Sequence, residues 1–348
     1  MTYIDYEPRF RRKAQIAGFS EEQIIKCLTY AKPLLDQNLP VIYNTSNLSA
    51  LVGYKTTYLK RAVAFTPYFY RKFSIRKKNG STRQINEPLP SLKEIQSWIL
   101  HNILEKVPVS KFSKAYIKGR NLIDNVRYHR NKDYVLCLDL RDFFPSIRTS
   151  DVEGIFLRLG YSSNLSNLLA KLCSLNGALS QGAPTSPCIS NIFMKPFDEH
   201  IGSFCTEHNI RYSRYADDLT FSFSQSKLDL EKLILQKVKS ELQSLSDRFV
   251  LNESKTKVFK RSDRQIVTGI VVNEVIQTPK DYRKKIRQEV FYIKKFGLRS
   301  HLQQTNNNKG NYLNHLLGKI NFALSVNKND NEILQYKHFV IELLKQDA

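Results

Sequence analysis

Three aspartates occupy positions from which their carboxylates could meet. Asp139 follows the apolar run of residues 134–138, and Asp217 and Asp218 follow a segment in which polar and apolar residues alternate. Carboxylates that meet at one point can hold two divalent cations about 3.5–4 Å apart, the arrangement that supports in-line phosphoryl transfer. Mg²⁺ suits such a site, because it keeps waters and substrate phosphates among its ligands and needs few protein oxygens. These residue types therefore favour phosphoryl-transfer chemistry.

Each aspartate taken alone says little. An Asp-Asp pair is common in turns, because the aspartate side chain hydrogen-bonds to nearby backbone. Without further motifs, Asp217 and Asp218 are best interpreted as part of a surface turn. The rest of the sequence must decide between that interpretation and a metal site.

Two strand patterns position the aspartates. The run from Tyr134 to Leu138 is almost wholly apolar, which predicts a short strand buried on both faces, with Asp139 at its end. Residues 211–215 and 219–223 alternate around Ala216-Asp217-Asp218, which predicts a tight hairpin with both aspartates in its turn. If the strand pairs beside the hairpin, the three carboxylates lie close together.

Other segments complete an α+β pattern. Alternation predicts a basic hairpin with a turn at Lys78 to Gly80, and a small strand or hairpin within residues 265–273. A loop rich in glycine and proline is expected from Gln181 to Pro187. The predicted helices are residues 21–35, one or two within 47–64, one from Ser91 as N-cap to Ile103, residues 152–175, 189–200 and 228–249, and the basic region from Pro279 onward. Helices on one face of a mainly antiparallel sheet form an α+β fold.

The charge of the chain indicates a polyanionic partner. The 348 residues carry a formal net charge of +22, and hydrophobic residues make up 41%, which suffices for a core and argues against disorder. Nucleic acid is the first candidate partner and a membrane surface the second. An ordinary basic protein is the remaining alternative.

Cysteine usage and the N-terminal residues indicate the compartment. The five cysteines are scattered and none forms Cys-x-x-Cys, so neither a disulfide framework nor a zinc site is expected. Residues 1–10 carry acids and proline without an apolar run, which predicts no signal peptide, and no stretch is long and apolar enough for a membrane span. We therefore expect a cytoplasmic protein without a membrane partner.

Four motifs resemble those of reverse transcriptases. They are Leu138-Asp139-Leu140-Arg141-Asp142-Phe143-Phe144-Pro145, Gln181-Gly182-Ala183-Pro184-Thr185-Ser186-Pro187-Cys188-Ile189-Ser190-Asn191, Tyr215-Ala216-Asp217-Asp218 and Leu251-Asn252-Glu253-Ser254-Lys255-Thr256. One such string is easily found by chance, whereas four in the family's order at compatible spacings are not. The resemblance runs from about Tyr70 to the C-terminus.

The resemblance implies an α+β right-hand polymerase. Residues 1–65 would form an N-terminal helical extension of the fingers. Residues 66–274 would form the fingers and a palm with an antiparallel sheet, and residues 275–348 a basic helical thumb that binds RNA.

Catalytic roles are implied in the same way. The carboxylates of Asp139, Asp217 and Asp218 would hold two Mg²⁺ ions, which Mn²⁺ can replace, and Asp218 is the less constant ligand in the family. Lys255 would lie near the pyrophosphate as a general acid, with Lys257 as the alternative.

The resemblance also implies a pocket for the incoming dNTP. Phe144 would lie under the sugar and exclude a 2′-hydroxyl, or would be a core residue. Gln181 and Gly182 would line the pocket, and Arg83 would clamp the triphosphate from the hairpin. The full set of implied nucleotide-binding residues is Lys77, Lys78, Arg83, Asp142, Phe143, Phe144, Gln181, Gly182 and Lys255.

One further string narrows the family. Val267-Thr268-Gly269 resembles an element of retron reverse transcriptases that is associated with recognising the enzyme's own structured RNA. A second hallmark, Asn-Ala-x-x-His, is replaced by Asn125 to His129, which keeps only the Asn and His spacing. Further candidates for binding RNA or primer are Arg283, Lys284, Lys285 and Arg287. The aromatic residues Tyr282, Phe291, Tyr292, Phe296 and Tyr312 would stack on bases or form the thumb core.

A retron enzyme would use dNTPs to copy part of a cognate noncoding RNA. Synthesis would start at the 2′-hydroxyl of an internal guanosine and give a branched RNA–DNA hybrid (msDNA). The family implies defence against phage together with an effector protein encoded nearby. The alternatives are a group II intron-like enzyme, another bacterial defence reverse transcriptase, and a non-catalytic RNA-binding protein with a polymerase fold. The three intact aspartates argue against the last of these.

Overall fold

The computed structural model describes residues 2–76, 80–224, 228–306 and 310–346. The chain divides into two compact units, each assembled from three segments. The first unit consists of Met1–Lys118, Leu140–Ser203 and Lys237–Leu251, and the second of Gly119–Asp139, Phe204–Gln236 and Asn252–Ala348. The functional division into N-terminal extension, fingers with palm, and thumb stays a prediction.

The secondary structure is mixed, and the strand pairs among these described residues are antiparallel. The helices are α1 (Tyr3–Ile16), α2 (Glu21–Asp36), α3 (Thr45–Val52), α4 (Thr56–Ala64), α5 (Pro90–Asn102), α6 (Leu122–Tyr128), α7 (Phe143–Ser146), α8 (Thr149–Arg158), α9 (Ser163–Leu172), α10 (Ser186–Phe193), α11 (Lys195–Glu207), α12 (Leu228–Leu245), α13 (Lys280–Phe296), α14 (Leu298–Gln304), α15 (Tyr312–Val326) and α16 (Asn331–Gln346). The strands are β1 (Tyr70–Arg76), β2 (Thr82–Pro88), β3 (Tyr134–Asp139), β4 (Arg211–Tyr215), β5 (Asp218–Phe223), β6 (Lys257–Lys260), β7 (Ile266–Val267) and β8 (Ile270–Val271). Short 3₁₀ segments are Thr66–Phe69, Leu104–Lys106 and Glu253–Lys255. The predicted α+β class is confirmed.

Capping residues explain where the first helices of the first unit begin. The side chains of Thr2 and Ser20 accept hydrogen bonds from the backbone N–H groups of Asp5 and Gln23, whose side chains bond back to the caps. Each pair satisfies N–H groups that have no partner inside the helix. The sequence predicted α2 but not α1, because Pro8 lies inside α1 and proline disfavours helix interiors.

Several predicted helix boundaries in the first unit are wrong. Helix α5 begins at Pro90 rather than after an N-cap at Ser91, because proline is favoured at the first helical position. The predicted helix 152–175 is two helices, and Gly160 between them has φ +101°. The predicted helix 189–200 begins earlier, at Ser186, and is divided at Met194.

A four-stranded sheet in the order β4-β5-β3-β6 organises the second unit. Successive residues of a strand point to opposite faces. The partners Leu138 and Leu219 lie on an apolar face, whereas Cys137 and Thr220 lie on the face that also carries Asp139. The predicted strand and hairpin are confirmed as β3, β4 and β5. Strand β6 was not predicted.

The helical end of the second unit has a core of its own. Helices α13, α15 and α16 bury an apolar cluster that includes Ile286, Val290, Leu316, Ile320 and Val340. No helix in the four described ranges is long and apolar enough to cross a membrane.

Candidate active site

Asp139 and Asp218 face each other across two paired strands. Asp139 is the last residue of β3, Asp218 is the first residue of β5, and the two are direct partners in the antiparallel register. Side chains of direct partners lie on one face of a sheet, with their Cβ atoms about 4.5–5.5 Å apart. The strand therefore pairs beside the hairpin, which the sequence analysis gave as the condition for the carboxylates to lie close together. The predicted turn was one residue too long, because Asp218 belongs to the strand and only Ala216 and Asp217 lie between β4 and β5.

A buried arginine fixes the turn that carries Asp217. Ala216 has φ +58°, in the left-handed region, which costs a residue with a Cβ roughly 1–2 kcal/mol. The carbonyl oxygen of Ala216 accepts a hydrogen bond from Arg214 Nη1 at 3.1 Å, and Arg214 has no exposed surface. A buried charged donor therefore helps to hold a strained turn beside the carboxylates. Arg214 was missed in the sequence, because alternation gives no signal that an arginine is buried.

Two residues of the fourth motif, Lys255 and Asn252, contact the carboxylate of Asp139. Lys255 Nζ lies 2.9 Å from Asp139 Oδ1 and 2.8 Å from Oδ2, and Asn252 Nδ2 donates to Oδ1 at 3.3 Å. The backbone N–H of Asn252 also donates to the carbonyl oxygen of Asp139 at 2.8 Å. The hydrogen bonds with Asp139 raise the pKa of Lys255 above its usual range. Asn252 lies inside a motif that the sequence already displayed, although only Lys255 was assigned a role there.

Repulsion among the aspartates is visible in Asp218. The pKa of this carboxyl is raised to about 6, first by burial and then by the neighbouring charges of Asp217 and Asp139, whereas Lys255 opposes the shift. The three carboxylates therefore repel one another, and the ammonium of Lys255 offsets only part of their negative charge. Such a site favours the binding of additional cations.

The donor set fits divalent cations by chemistry and charge. Asp139, Asp217 and Asp218 supply the carboxylate oxygens that Mg²⁺ prefers. Within the described ranges, however, no three acidic, histidine or cysteine side chains are gathered closely enough to hold one ion as they stand. The ammonium of Lys255 contacts both carboxylate oxygens of Asp139. Binding of ions therefore requires these side chains to adjust, and the choice of Mg²⁺ stays a prediction.

In the first unit, the basic hairpin is attached to the predicted nucleotide-pocket loop. The backbone N–H of Asn86 on β2 donates to the carbonyl oxygen of Gln181 at 2.8 Å. Gly182 has φ +118°, and a Cβ there would lie 2.7 Å from Asn86 O and 2.8 Å from Ile85 Cγ2. Glycine is needed at position 182 because both its backbone conformation and the approach of β2 exclude a side chain. Arg83 lies on the same strand and is exposed. Lys77 and Lys78 lie outside the described residues.

The residues after Asp139 differ in exposure. Phe143 is 4% exposed and its ring packs against Phe249 within the first unit, whereas Phe144 is only partly buried. Asp142 is exposed and has φ +46°. Its backbone carbonyl oxygen accepts hydrogen bonds from the backbone N–H and the hydroxyl of Ser146. Phe143 is thus a core residue of this unit, and Phe144 is the more accessible ring. The roles of all three in nucleotide binding stay predictions.

Val267, Thr268 and Gly269 form the tip of a small hairpin. Strands β7 and β8 are joined by Thr268 and Gly269, which have φ +47° and +84°. Positive φ at both central residues is typical of a type I′ turn. Val267 has no exposed surface and packs with Val126 and Val135, so its side chain is structural. Gly269 is exposed, whereas the hydroxyl oxygen of Thr268 is buried, and contact of this hairpin with RNA stays a prediction.

The four candidate RNA-binding cations on α13 fall into two classes. Arg283 Nη2 lies 3.0 Å from Asp330, and Arg287 Nε lies 2.6 Å from Glu332. Lys284 and Lys285 are exposed. The arginines therefore join α13 to α16 and its preceding loop, and the lysines are the better candidates for phosphate contacts.

The aromatic residues of this region differ in exposure. Tyr312 is buried, and the hydroxyl of Tyr282, which packs against the same core, donates to the carbonyl oxygen of Lys319. Phe291, Tyr292 and Phe296 are 52%, 38% and 48% exposed. Tyr312 and Tyr282 therefore belong to the core. The other three rings contact one another, and their stacking on bases stays a prediction.

Comparison with known proteins supports the resemblance. A family model described as "Reverse transcriptase (RNA-dependent DNA polymerase)" matches residues 75–303, a range that contains all four motifs. The chain is 31% identical over 309 residues to the Retron Ec86 reverse transcriptase of Escherichia coli, covering 87% of this chain and 91% of that protein. It is 34% identical over 282 residues to the Retron Ec83 reverse transcriptase of Escherichia coli, covering 77% of this chain and 86% of that protein. A solved structure of telomerase from Candida albicans with a fragment of telomeric RNA is 13% identical, has a TM-score of 0.43, and covers 78% of this chain and 60% of that one.

Proposed function

Because this chain belongs to the reverse transcriptase family and is a bacterial retron reverse transcriptase, we propose that it copies part of a cognate noncoding RNA into DNA by two-metal-ion phosphoryl transfer. It is an RNA-directed DNA polymerase of the right-hand fold class, as its motifs predicted. The observation that carries the proposed mechanism is the direct cross-strand pairing of Asp139 with Asp218, beside Asp217 in the adjoining turn.

In the proposed mechanism, Asp139, Asp217 and Asp218 would hold two Mg²⁺ ions. Bound divalent ions would activate the attacking hydroxyl and stabilise charge on the leaving pyrophosphate. The close carboxylates create the negative potential that attracts the ions. Burial first, and then the charges of Asp217 and Asp139, raise the pKa of Asp218.

Lys255 supplies a proton and a positive charge at the same place. Its ammonium lies within 2.9 Å of Asp139, and its raised pKa keeps it protonated near neutral pH. We assign it the role of proton donor to the leaving pyrophosphate. Lys257 is less suited, because it is the cross-strand partner of Cys137, two residues from Asp139.

The dNTP pocket is assigned to the first unit. Gln181 and Gly182 would line it, and Arg83 would meet the triphosphate from the attached hairpin. Phe144 would exclude ribonucleotides by contact with a 2′-hydroxyl. Its partial exposure supports this role better than the burial of Phe143 does.

The product assigned to this enzyme is a branched RNA–DNA hybrid. Synthesis would begin at the 2′-hydroxyl of a guanosine in the cognate RNA, in the cytoplasm. The enzyme and its hybrid would act with an effector protein in defence against phage. The retron relatives and the net charge of +22 support an RNA partner.

Primer extension by the purified protein tests the proposal. We expect dNTP- and Mg²⁺-dependent DNA synthesis on an RNA template, and its loss when Asp217 and Asp218 are both replaced by Asn. DNA that co-purifies from cells should be joined through a 2′ linkage to one RNA. Undiminished synthesis by the double variant contradicts the catalytic assignment, and unbranched DNA from many templates contradicts the retron product.

A further inference from the structure

A chain of buried hydrogen bonds joins the end of α6 to both strands of the catalytic hairpin. His129 Nδ1 lies 2.8 Å from Ser222 Oγ on β5, and His129 Nε2 lies 2.7 Å from Ser213 Oγ on β4. Ser213 Oγ donates to Asn125 Oδ1 at 2.7 Å. All four side chains have 0% exposed surface. Asn125 and His129 are the two residues whose spacing the sequence displayed without a function.

The donor and the acceptor of each of these hydrogen bonds can be assigned. Ser213 has one hydroxyl proton, which goes to Asn125 Oδ1. Ser213 Oγ must therefore accept from His129, so Nε2 of the imidazole carries a proton. In the neutral ring, Nδ1 then accepts from the hydroxyl of Ser222. Two of these three links involve the imidazole, whose two ring nitrogens each contact a serine of a different strand.

The imidazole connects the strands in addition to their backbone ladder. Ser213 is paired with Thr220, and Ser222 is paired with Arg211, so the two serines are diagonal neighbours rather than direct partners. Ser222 lies four residues after Asp218 on one strand, hence on the same face, at a distance of about 14 Å along the strand. A change in the position of β4 against β5 at the imidazole is therefore transmitted along the strands to the turn.

The other end of the connection is anchored. Helix α6 begins with a capping box between Asn121 and Asp124. Val126 has no exposed surface and packs with Val135 on β3 and with Val267. The imidazole thus extends from a fixed support, and β3, which carries Asp139, belongs to that support.

We propose that His129 is a positioning residue for polymerisation, which fixes the hairpin turn so that Asp217 and Asp218 meet the divalent ions together with Asp139. The inference rests on the proposed function, because it takes the three aspartates as the metal ligands. A metal site requires its ligands to be held within about 0.5 Å of the productive geometry. The turn is short and strained at Ala216; Arg214 holds it from within the hairpin, and His129 would add support from α6.

Four variants separate the parts of the connection. His129→Leu removes both hydrogen bonds at similar volume, and His129→Gln keeps an amide donor near the place of Nε2. Ser213→Ala and Ser222→Ala each remove one bond to the ring. Val340→Ala serves as the control for general destabilisation, because Val340 is buried in the separate core of α13, α15 and α16.

The first readout is Mn²⁺ binding by the full-length protein, measured by electron paramagnetic resonance without nucleic acid. We expect His129→Leu to weaken Mn²⁺ binding about tenfold or more, as the loss of groups that orient metal ligands does elsewhere. The second readout separates kcat from KM. We expect kcat to fall about tenfold to a hundredfold, with KM for dNTP within about twofold of the parent value. His129→Gln and the two serine variants should have Mn²⁺ affinities and kcat values between those of the parent and those of His129→Leu.

Wild-type Mn²⁺ affinity and kcat in a folded His129→Leu variant, or equal losses in Val340→Ala at the same fall in Tm, would overturn the proposal. If His129→Leu does not fold, the serine variants decide: unchanged Mn²⁺ affinity in both refutes the positioning role. The Asp217→Asn/Asp218→Asn variant is measured alongside. Retained synthesis there refutes the proposed function itself, whereas its loss with normal His129 variants refutes only this inference.

Discussion

The ammonium of Lys255 contacts both carboxylate oxygens of Asp139, at 2.9 and 2.8 Å. A second lysine, Lys257, lies two residues later on β6, and the sequence left open which of the two would serve the reaction. The structure separates them, because Lys255 contacts the carboxylate of Asp139, whereas Lys257 is the cross-strand partner of Cys137. Proximity to Asp139 therefore favours Lys255.

Replacement of Lys255 by Gln should lower kcat for nucleotide incorporation by about 10² or more, because the reaction loses a positioned proton donor. Lys257→Gln is the matched control and should keep kcat within about threefold of the parent value. Single-nucleotide incorporation under saturating dNTP measures both variants. Equal losses in the two would contradict a specific role for Lys255.

Asp218 should destabilise the ion-free protein at neutral pH. Its pKa in the folded protein is about 6, against an ordinary value of 3.8. Between about pH 4 and pH 6 the folded state therefore binds more protons than the unfolded state, so stability falls as the pH rises through this window and stays lower above it.

The variant Asp218→Asn lacks this penalty. In EDTA its Tm should match the parent at pH 4 and exceed it at pH 7.5, and added Mn²⁺ should narrow the difference by stabilising the parent protein. Thermal unfolding across this pH range tests the expectation. A variant that is less stable than the parent at pH 7.5 in EDTA would contradict the raised pKa of Asp218 in the folded protein.

Local patterns predicted much of this arrangement, and long-range contacts could not be predicted. Alternation located β4 and β5, and an apolar run located β3, because side-chain burial on a sheet follows a period of two. The register that brings Asp139 opposite Asp218 depends on tertiary pairing. Strand β6 was missed because it has only four residues and lysine at both ends.

The same limit applies to charged side chains. Arg283 was predicted to bind nucleic acid because it belongs to a basic helix, yet its partner Asp330 lies 47 residues away in the sequence. The hydrogen bonds of His129 to Ser213 and Ser222 span 84 and 93 residues. Periodicity carries no signal for contacts of this kind. Motifs supplied the candidate reactive residues, whereas their supporting contacts required the structure.

Replacement of Phe144 by Val should admit ribonucleotides. The partly buried ring would lie under the sugar, and its removal opens space for a 2′-hydroxyl. We expect the ratio of kcat/KM for dNTP over rNTP to fall by about 10². Phe143→Leu is the control, since Phe143 lies in the core against Phe249 and should lose stability with little change in this ratio. An unchanged ratio in Phe144→Val would remove the selective role from this ring.

Gly182→Ala should separate the hairpin from the pocket loop. The added Cβ would meet Asn86 O at 2.7 Å, and the residue would retain an unfavourable φ of +118°. Gly177 is a matched control, because its φ is +81° and no atom lies within 4 Å of a Cβ placed there.

We expect Gly177→Ala to cost about 1–2 kcal/mol of stability through backbone strain alone. Gly182→Ala should cost more and should also raise KM for dNTP about tenfold, since the hairpin that carries Arg83 would move. Chemical unfolding and steady-state kinetics measure the two effects. Equal stability and equal KM in the two variants would show that the close approach of β2 to Gly182 is unimportant.

The lysines and arginines of α13 should differ in their effects on RNA binding. Lys284 and Lys285 are exposed, whereas Arg283 and Arg287 are paired with acidic residues of the same unit. Replacement of both lysines by Ala should weaken RNA binding and reduce the slope of log K against log salt by about 1.4 to 1.8, because each phosphate contact contributes about 0.7 to 0.9. Arg283→Ala should instead lower Tm, since it leaves Asp330 without its partner, and should keep the salt slope of the parent. Fluorescence anisotropy from 50 to 300 mM salt (about the range over which such slopes are linear) together with thermal unfolding distinguishes the two classes. A loss of slope in Arg283→Ala with none in the lysine variant would reverse the assignment.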